Sequence, residues 1–106
     1  MRICMYGASS DAIAKEYIDE VYHLGALMAK RGIGLVFGGG AGGLMGAVAR
    51  GVSDNGGDLI GVAPNFFDVE GVLFKKCTQF LYTETMRERK QLMEDHADAF
   101  IVAPGD

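Results

Sequence analysis

Apolar positions in this chain follow two rhythms that take turns. Short unbroken apolar runs read as buried strands, and longer stretches with an apolar residue every third or fourth place read as helices. Arg2 to Tyr6 is the first such run and ends at Gly7. The turn Gly7-Ala8-Ser9-Ser10-Asp11 follows and offers Ser9, Ser10 or Asp11 as a helix cap. Ile13, Tyr17, Val21, Leu24 and Met28 then recur at intervals of 4, 4, 3 and 4, a helical stripe closed by Lys30, Arg31 and Gly32. Ile33 to Phe37 is the second strand. Leu44, Met45, Val48 and Val52 mark a second helix that starts at Gly42 or Gly43 and stops at Asn55-Gly56-Gly57. Leu59 to Ala63 and Phe80 to Thr83 are the third and fourth strands. A helix from Met86 to His96 opens on a Thr85-x-x-Glu88 capping box, and Ala99 to Val102 is the fifth strand. Strands alternating with helices predict an α/β fold, a parallel sheet covered on both faces. Pro64 to Cys77 fits neither rhythm. Its Phe66, Phe67, Val69, Val72, Leu73 and Phe74 are too apolar for a solvated loop, which leaves two readings open: core packing, or the wall of a pocket for an aromatic group.

Composition narrows the class. A chain of 106 residues, 49% apolar, is one domain, residues 1–106, near the small end for an α/β fold. No apolar run reaches the roughly 18 residues that span a bilayer, so no membrane partner is expected. Met1-Arg2 leads straight into a strand rather than a signal peptide. A net charge of −4 argues against a nucleic-acid partner. Cys4 and Cys77 lack metal-ligand spacing, so no metal is expected, and the default location is the cytoplasm.

The candidate chemistry centres on Val36 to Gly46, a strand running into a glycine loop and then a helix. Six of the nine residues from Gly38 to Gly46 are glycine, so backbone N–H groups there are uncovered by side chains and can converge on an anion. The positive end of the following helix adds to the same place. Phosphate is the expected guest, and the plain alternative is a tight turn packing a helix on the sheet. Gly38, Gly40 and Gly43 also spell G-x-G-x-x-G, but the acidic residue of a dinucleotide site belongs at the end of the next strand. Here Asp58 precedes that strand, so no NAD site is expected.

In a parallel sheet, ligands bind at the carboxyl ends of the strands. The helix from Met86 places Arg87, Arg89 and Lys90 in its first turn, at the unfavourable end of its dipole. Lys90 has Glu94, and Arg87 has Glu84, within helical reach. Arg89 has only Thr85, Met86, Leu92 and Met93, so no intrahelical ion pair explains it. It is expected to point into the strand-end cleft beside the Gly38–Gly43 loop as a ligand group, unless a carboxylate from elsewhere pairs with it. Ser9 and Ser10 read equally as a helix cap or as donors to a ribose or phosphate. His23 and His96 read as structural or solvated.

Three stretches together resemble the Lonely Guy family of cytokinin riboside 5′-monophosphate phosphoribohydrolases, long misnamed lysine decarboxylases. Gly38 to Gly46 looks like that family's glycine loop followed by Gly-Leu-Met-Gly. Met86-Arg87-Glu88-Arg89-Lys90 is similar to its Met-x-x-Arg-Lys motif. Asp98 to Gly105 resembles the strand entering its Pro-Gly-Gly-x-Gly-Thr-x-x-Glu motif. The resemblance implies a homodimer with a three-layer Rossmann-like sheet, for which the strand order 3-2-1-4-5 is expected. It implies hydrolysis of the N-glycosidic bond of a nucleoside 5′-monophosphate, AMP or a cytokinin riboside monophosphate, with no cofactor. It implies Arg89 as the catalytic residue and Met86 near the base. The expected substrate-binding set is Ser9, Ser10, Gly39, Gly40, Gly43, Met86, Lys90 and Gly105. The glutamate that closes the last motif would fall beyond Asp106, and Asp106 stands where its second glycine would be. The 106-residue chain is therefore expected to be incomplete at its C-terminus and nearly silent in catalysis, while still able to bind a nucleotide weakly. The alternative function is a non-catalytic nucleotide-binding or carrier module of the same fold. A lysine decarboxylase would need a pyridoxal phosphate site, and the sequence shows none.

Overall fold

Successive residues of a strand face opposite sides of its sheet, and the apolar residues of the central strands fill both sides. The computed structural model describes residues 1–7, 14–67 and 71–102. In chain order they form β1 (Arg2–Tyr6), α1 (Lys15–Lys30), β2 (Gly34–Phe37), α2 (Gly43–Asp54), β3 (Leu59–Pro64), a 3-10 turn (Asn65–Phe67), β4 (Gln79–Thr83), α3 (Met86–Asp95) and β5 (Ala99–Val102). Met5, Leu35, Phe37 and Leu59 face α1 and α2, where Met28, Met45, Val48 and Val52 complete one core layer. Cys4, Val36, Ile60 and Val62 face the other way and pack with Met93 of α3. Every residue of β2 and β3 is buried, whereas most of β5 is exposed.

The sheet has five strands, all parallel, with helices on both faces, as expected. Its order corrects the expected 3-2-1-4-5: the strands lie β4-β3-β2-β1-β5. Among its described residues the link 65–78 holds one short 3-10 turn and no crossover helix, and β4 adds directly beside β3. The longer return through α3 then carries the chain across the sheet to β5, which pairs with β1. The order therefore reverses between β1 and β5.

Local signals account for most boundaries. The Glu88 N–H donates to Thr85 Oγ1 at 3.1 Å, and the Thr85 hydroxyl donates to Glu88 Oε1 at 3.1 Å, the expected capping pair. At α1 the expectation fails in part. The helix begins after Ala14, which supplies no side-chain cap, while Ser9, Ser10 and Asp11, the expected caps, lie outside the described residues. Ile18, Val21 and Leu24 join Met28 on the buried side, while Tyr17 is 59% exposed. The two helices cross closely because Gly25 and Gly51 meet there. A Cβ on Gly51 would stand 2.1 Å from the Tyr22 carbonyl oxygen, and one on Gly25 2.3 Å from that of Val48. Both obstacles are backbone, so Gly51→Ala is expected to cost about 1–3 kcal/mol, read as a lower urea midpoint at unchanged m-value.

Cys77 packs beside the same core layer, and its thiol contacts the Phe74 carbonyl at 3.2 Å. Burial pushes this thiol up from its ordinary 9.0 to about 11. The folded state therefore holds the proton more tightly than the unfolded chain. The resulting stabilisation is complete below about pH 9 and is lost as pH rises through about 11. The drop in Tm across that window is expected to shrink in Cys77→Ala.

Candidate functional site

The carboxyl ends of β1, β2 and β5 surround a cavity of about 540 Å³. Tyr6 and Gly7 close β1 on it, Gly38 to Gly42 lead from β2 over it, and Val102 of β5 borders it. It thus sits where strand order reverses, the place where open α/β sheets bind ligands. Phe67 from the 3-10 turn and Gly71 to Leu73 form the remaining wall, with Met5, Met45 and Met93 as apolar floor.

The glycine loop is less open than its composition suggests. Gly40 pairs antiparallel with Leu73, the Ala41 N–H donates to the Val72 carbonyl at 2.9 Å, and the Phe74 N–H donates to the Gly39 carbonyl at 2.8 Å. Arg50 Nη1 donates to the Ala41 carbonyl at 3.0 Å. These bonds fix the loop and consume the Ala41 amide that the sequence left available to an anion. What faces the cavity beyond them is the start of α2. Gly42 is its cap residue, which as glycine offers no side-chain cap of its own, and its first turn holds no carboxylate. The positive end of the α2 dipole thus meets the cavity, and no described lining residue carries a negative charge there.

Arg89 supplies the other positive group. From the first turn of α3 it reaches across β3, donating from Nε to the Val62 carbonyl at 3.0 Å and from Nη2 to the Gly38 carbonyl at 2.9 Å. Its guanidinium carbon lies 5.8 Å from the centre of the Phe67 ring. Burial lowers its pKa, with Tyr6 and Cys4 acting weakly in the opposite direction, so the charge is held at a desolvation cost. Two carbonyls fix the fork, and among the described residues no carboxylate lines the cavity to neutralise it. Gly38 makes this possible, since a Cβ there would stand 1.9 Å from Nη2. Tyr6 is the other side-chain hydrogen-bonding group on the wall. Burial, aided by a hydrogen bond with Cys4, pushes its phenol up to about 12, so it stays protonated.

The structure brings Gly40 and Arg89 together on the cavity. Gly43 begins α2 and is buried directly behind Gly42. Gly39 is also buried, with the Phe80 ring against it, and lies outside the lining. Met86 is 47% exposed and apart from the cavity. Lys90 borders a separate open hollow with Tyr6, Glu94 and Phe100. Ser9, Ser10 and Gly105 lie outside the described residues. The sequence reading missed Tyr6, although it sits at the carboxyl end of a predicted strand, and it placed Gly38 in an anion-binding loop, whereas the Gly38 carbonyl holds Arg89. Phe67 belonged to the segment left between two readings, and the structure places it, with Val72 and Leu73, on a pocket wall.

Fold and cavity together define a Rossmann-like α/β protein with a cation-lined cavity at the carboxyl edge of its sheet. The chain belongs to the SLOG cluster4 family, whose match covers residues 1–106. Among curated proteins, the rice protein named cytokinin riboside 5′-monophosphate phosphoribohydrolase LOG is 40% identical over 98% of this chain and 43% of its own length. The Mycobacterium tuberculosis cytokinin riboside 5′-monophosphate phosphoribohydrolase is 41% identical over 97% of this chain and 54% of its own. The chain thus spans about half the length of these relatives. A solved molybdenum cofactor carrier protein from Chlamydomonas reinhardtii superposes with a TM-score of 0.80 at 20% identity, over 99% of this chain and 63% of that one. The molybdenum cofactor binding protein of Rippkaea orientalis gives 0.77 at 21%, over 95% and 60%. At such identities these two structures establish the shared fold.

Proposed function

We propose that the protein is a phosphoribohydrolase. It cleaves the N-glycosidic bond of a nucleoside 5′-monophosphate, AMP or a cytokinin riboside monophosphate, to free base and ribose 5-phosphate. The observation that carries this reading is Arg89, desolvated and fixed by two carbonyls on the cavity at the reversal of strand order. The names of the curated relatives agree with it. The start of α2 suits the 5′-phosphate, and Arg89 then lies toward the leaving base. As the bond from C1′ to the base breaks, the bonding pair moves to the base, and a guanidinium N–H stabilises the charge that develops there. Water adds its hydroxyl to C1′ and its proton goes to the base. The ribose passes through a cation-like state that a carboxylate stabilises. The resemblance assigns that carboxylate to a glutamate past Asp106.

The same reading makes residues 1–106 one nucleotide-binding domain of a cytoplasmic homodimer. Both cysteines are free thiols, as suits a reducing compartment, and no helix of the described residues is long and apolar enough to cross a membrane. Phe100 and Val102 of the edge strand β5 are 51% and 76% exposed, apolar surface of the kind a second subunit covers.

The test incubates the protein at its natural length with AMP, a cytokinin riboside monophosphate, or the unphosphorylated nucleosides. Free base and ribose 5-phosphate are followed by chromatography. Base release from the monophosphates alone is expected. Binding without release would favour a carrier module, and neither binding nor release would end the proposal.

A further inference from the structure

We propose that Phe67 is the nucleobase platform of this cavity and favours purines by stacking, with the Arg89 guanidinium in cation–π contact with its ring. The inference rests on the nucleoside monophosphate reading above and specifies how the base is selected.

The lining leaves little else to read a base. Among the described lining residues, the only side-chain hydrogen-bonding groups are the Tyr6 phenol and the Arg89 guanidinium. Two donors of Arg89 are already committed to Val62 and Gly38. The remaining described side chains on the wall are apolar, Val72, Leu73, Met45 and Met93 among them. The described wall therefore offers a base shape and stacking more than a hydrogen-bond code. Phe67 is the one aromatic ring other than Tyr6 on this lining. It is braced edge to face by Phe66, with ring centres 5.0 Å apart and planes at 85°. The Arg89 guanidinium carbon lies over its ring, 5.8 Å from the centre, so the cation and the aromatic face bound the same part of the cavity. A base stacked there has its glycosidic nitrogen close to Arg89, and a two-ring purine covers more of that surface than a pyrimidine.

The chain contains no tryptophan, so Phe67→Trp places a single fluorophore at the platform. AMP is expected to quench it, CMP to quench it less, and ribose 5-phosphate to leave it unchanged. Phe66→Trp is the control, because Phe66 is 60% exposed and outside the lining. In calorimetry Phe67→Ala is expected to weaken AMP about tenfold, the usual scale for a lost base–aromatic stack, and ribose 5-phosphate by less than about twofold. Equal weakening of both ligands would show a collapsed cavity and overturn the assignment. So would AMP binding to Phe67→Ala as tightly as to the unaltered protein, or equal quenching at both tryptophan positions. If the unaltered protein bound ribose 5-phosphate but not AMP, the platform would fall while the phosphate end stood. If it bound neither, the nucleotide reading itself would fail, and the platform with it.

Discussion

Arg89→Ala is expected to cut base release about 10²- to 10³-fold, the scale for losing one preorganised charge-stabilising donor, while Tm stays level or rises slightly. The two halves of this expectation have one cause. Arg89 is a half-buried cation whose pKa is lowered by desolvation, and its partners are neutral carbonyls. Such a group costs stability to hold in place, and removing it relieves that cost. The Val62 and Gly38 carbonyls would then meet water entering the vacated part of the cavity. Arg89→Lys is not expected to rescue turnover. One ammonium cannot bridge two carbonyls and still present a planar fork to the base. Steady-state kinetics and thermal melts on the three proteins check this directly. A Tm loss comparable to that of a core truncation, with turnover retained, would make Arg89 a structural strut.

Arg89 was readable in the sequence because its signal is local. It is a cation at the wrong end of a helix dipole with no acid within helical reach, and its neighbours are fixed by helix geometry alone. The limits of β1 and β5 and the Thr85–Glu88 cap were readable for the same reason, as each depends on a few adjacent residues. Strand order was not. Orders 3-2-1-4-5 and 4-3-2-1-5 put the same alternating residues on the two faces of each strand. The choice turns on whether the link 65–78 can cross the sheet, which apolar periodicity does not report. The glycine loop shows the other limit. Its composition gives freely available amides, yet the Val72 and Phe74 backbone ties part of it down, and backbone pairing at that separation leaves no mark on local sequence. Met86 and Lys90 were drawn to the site by a shared motif with Arg89. Lys90 follows Arg89 directly and points about 100° away from it, and Met86, one turn earlier, is not among the described residues that line the cavity. Phe67 was ambiguous because a greasy segment packs equally well in a core or around a ligand.

The cradle also predicts that Gly38→Ala disables the site without touching any substrate. The added Cβ would stand 1.9 Å from Nη2 of Arg89 and 2.9 Å from its Cζ. The third nearest atom is Nε of the same side chain, at 3.6 Å, so the closest obstacles all belong to Arg89. The obstacle is the far end of a flexible side chain rather than backbone, so the fold accommodates the methyl by expelling the guanidinium from its two carbonyls. Gly51→Ala differs in that its methyl meets main chain and costs stability. Gly38→Ala should therefore keep a near-normal Tm and lose nearly as much turnover as Arg89→Ala. The double variant separates this from an independent role for Gly38. If Gly38 acts only by making room for Arg89, then Gly38→Ala has nothing further to remove once Arg89 is alanine, and the two losses do not add. The double variant should match Arg89→Ala to within about the 0.5 kcal/mol by which independent sites scatter around additivity. Fully additive losses would show that the Gly38 backbone meets the substrate itself, and that the fit of Arg89 against it is incidental.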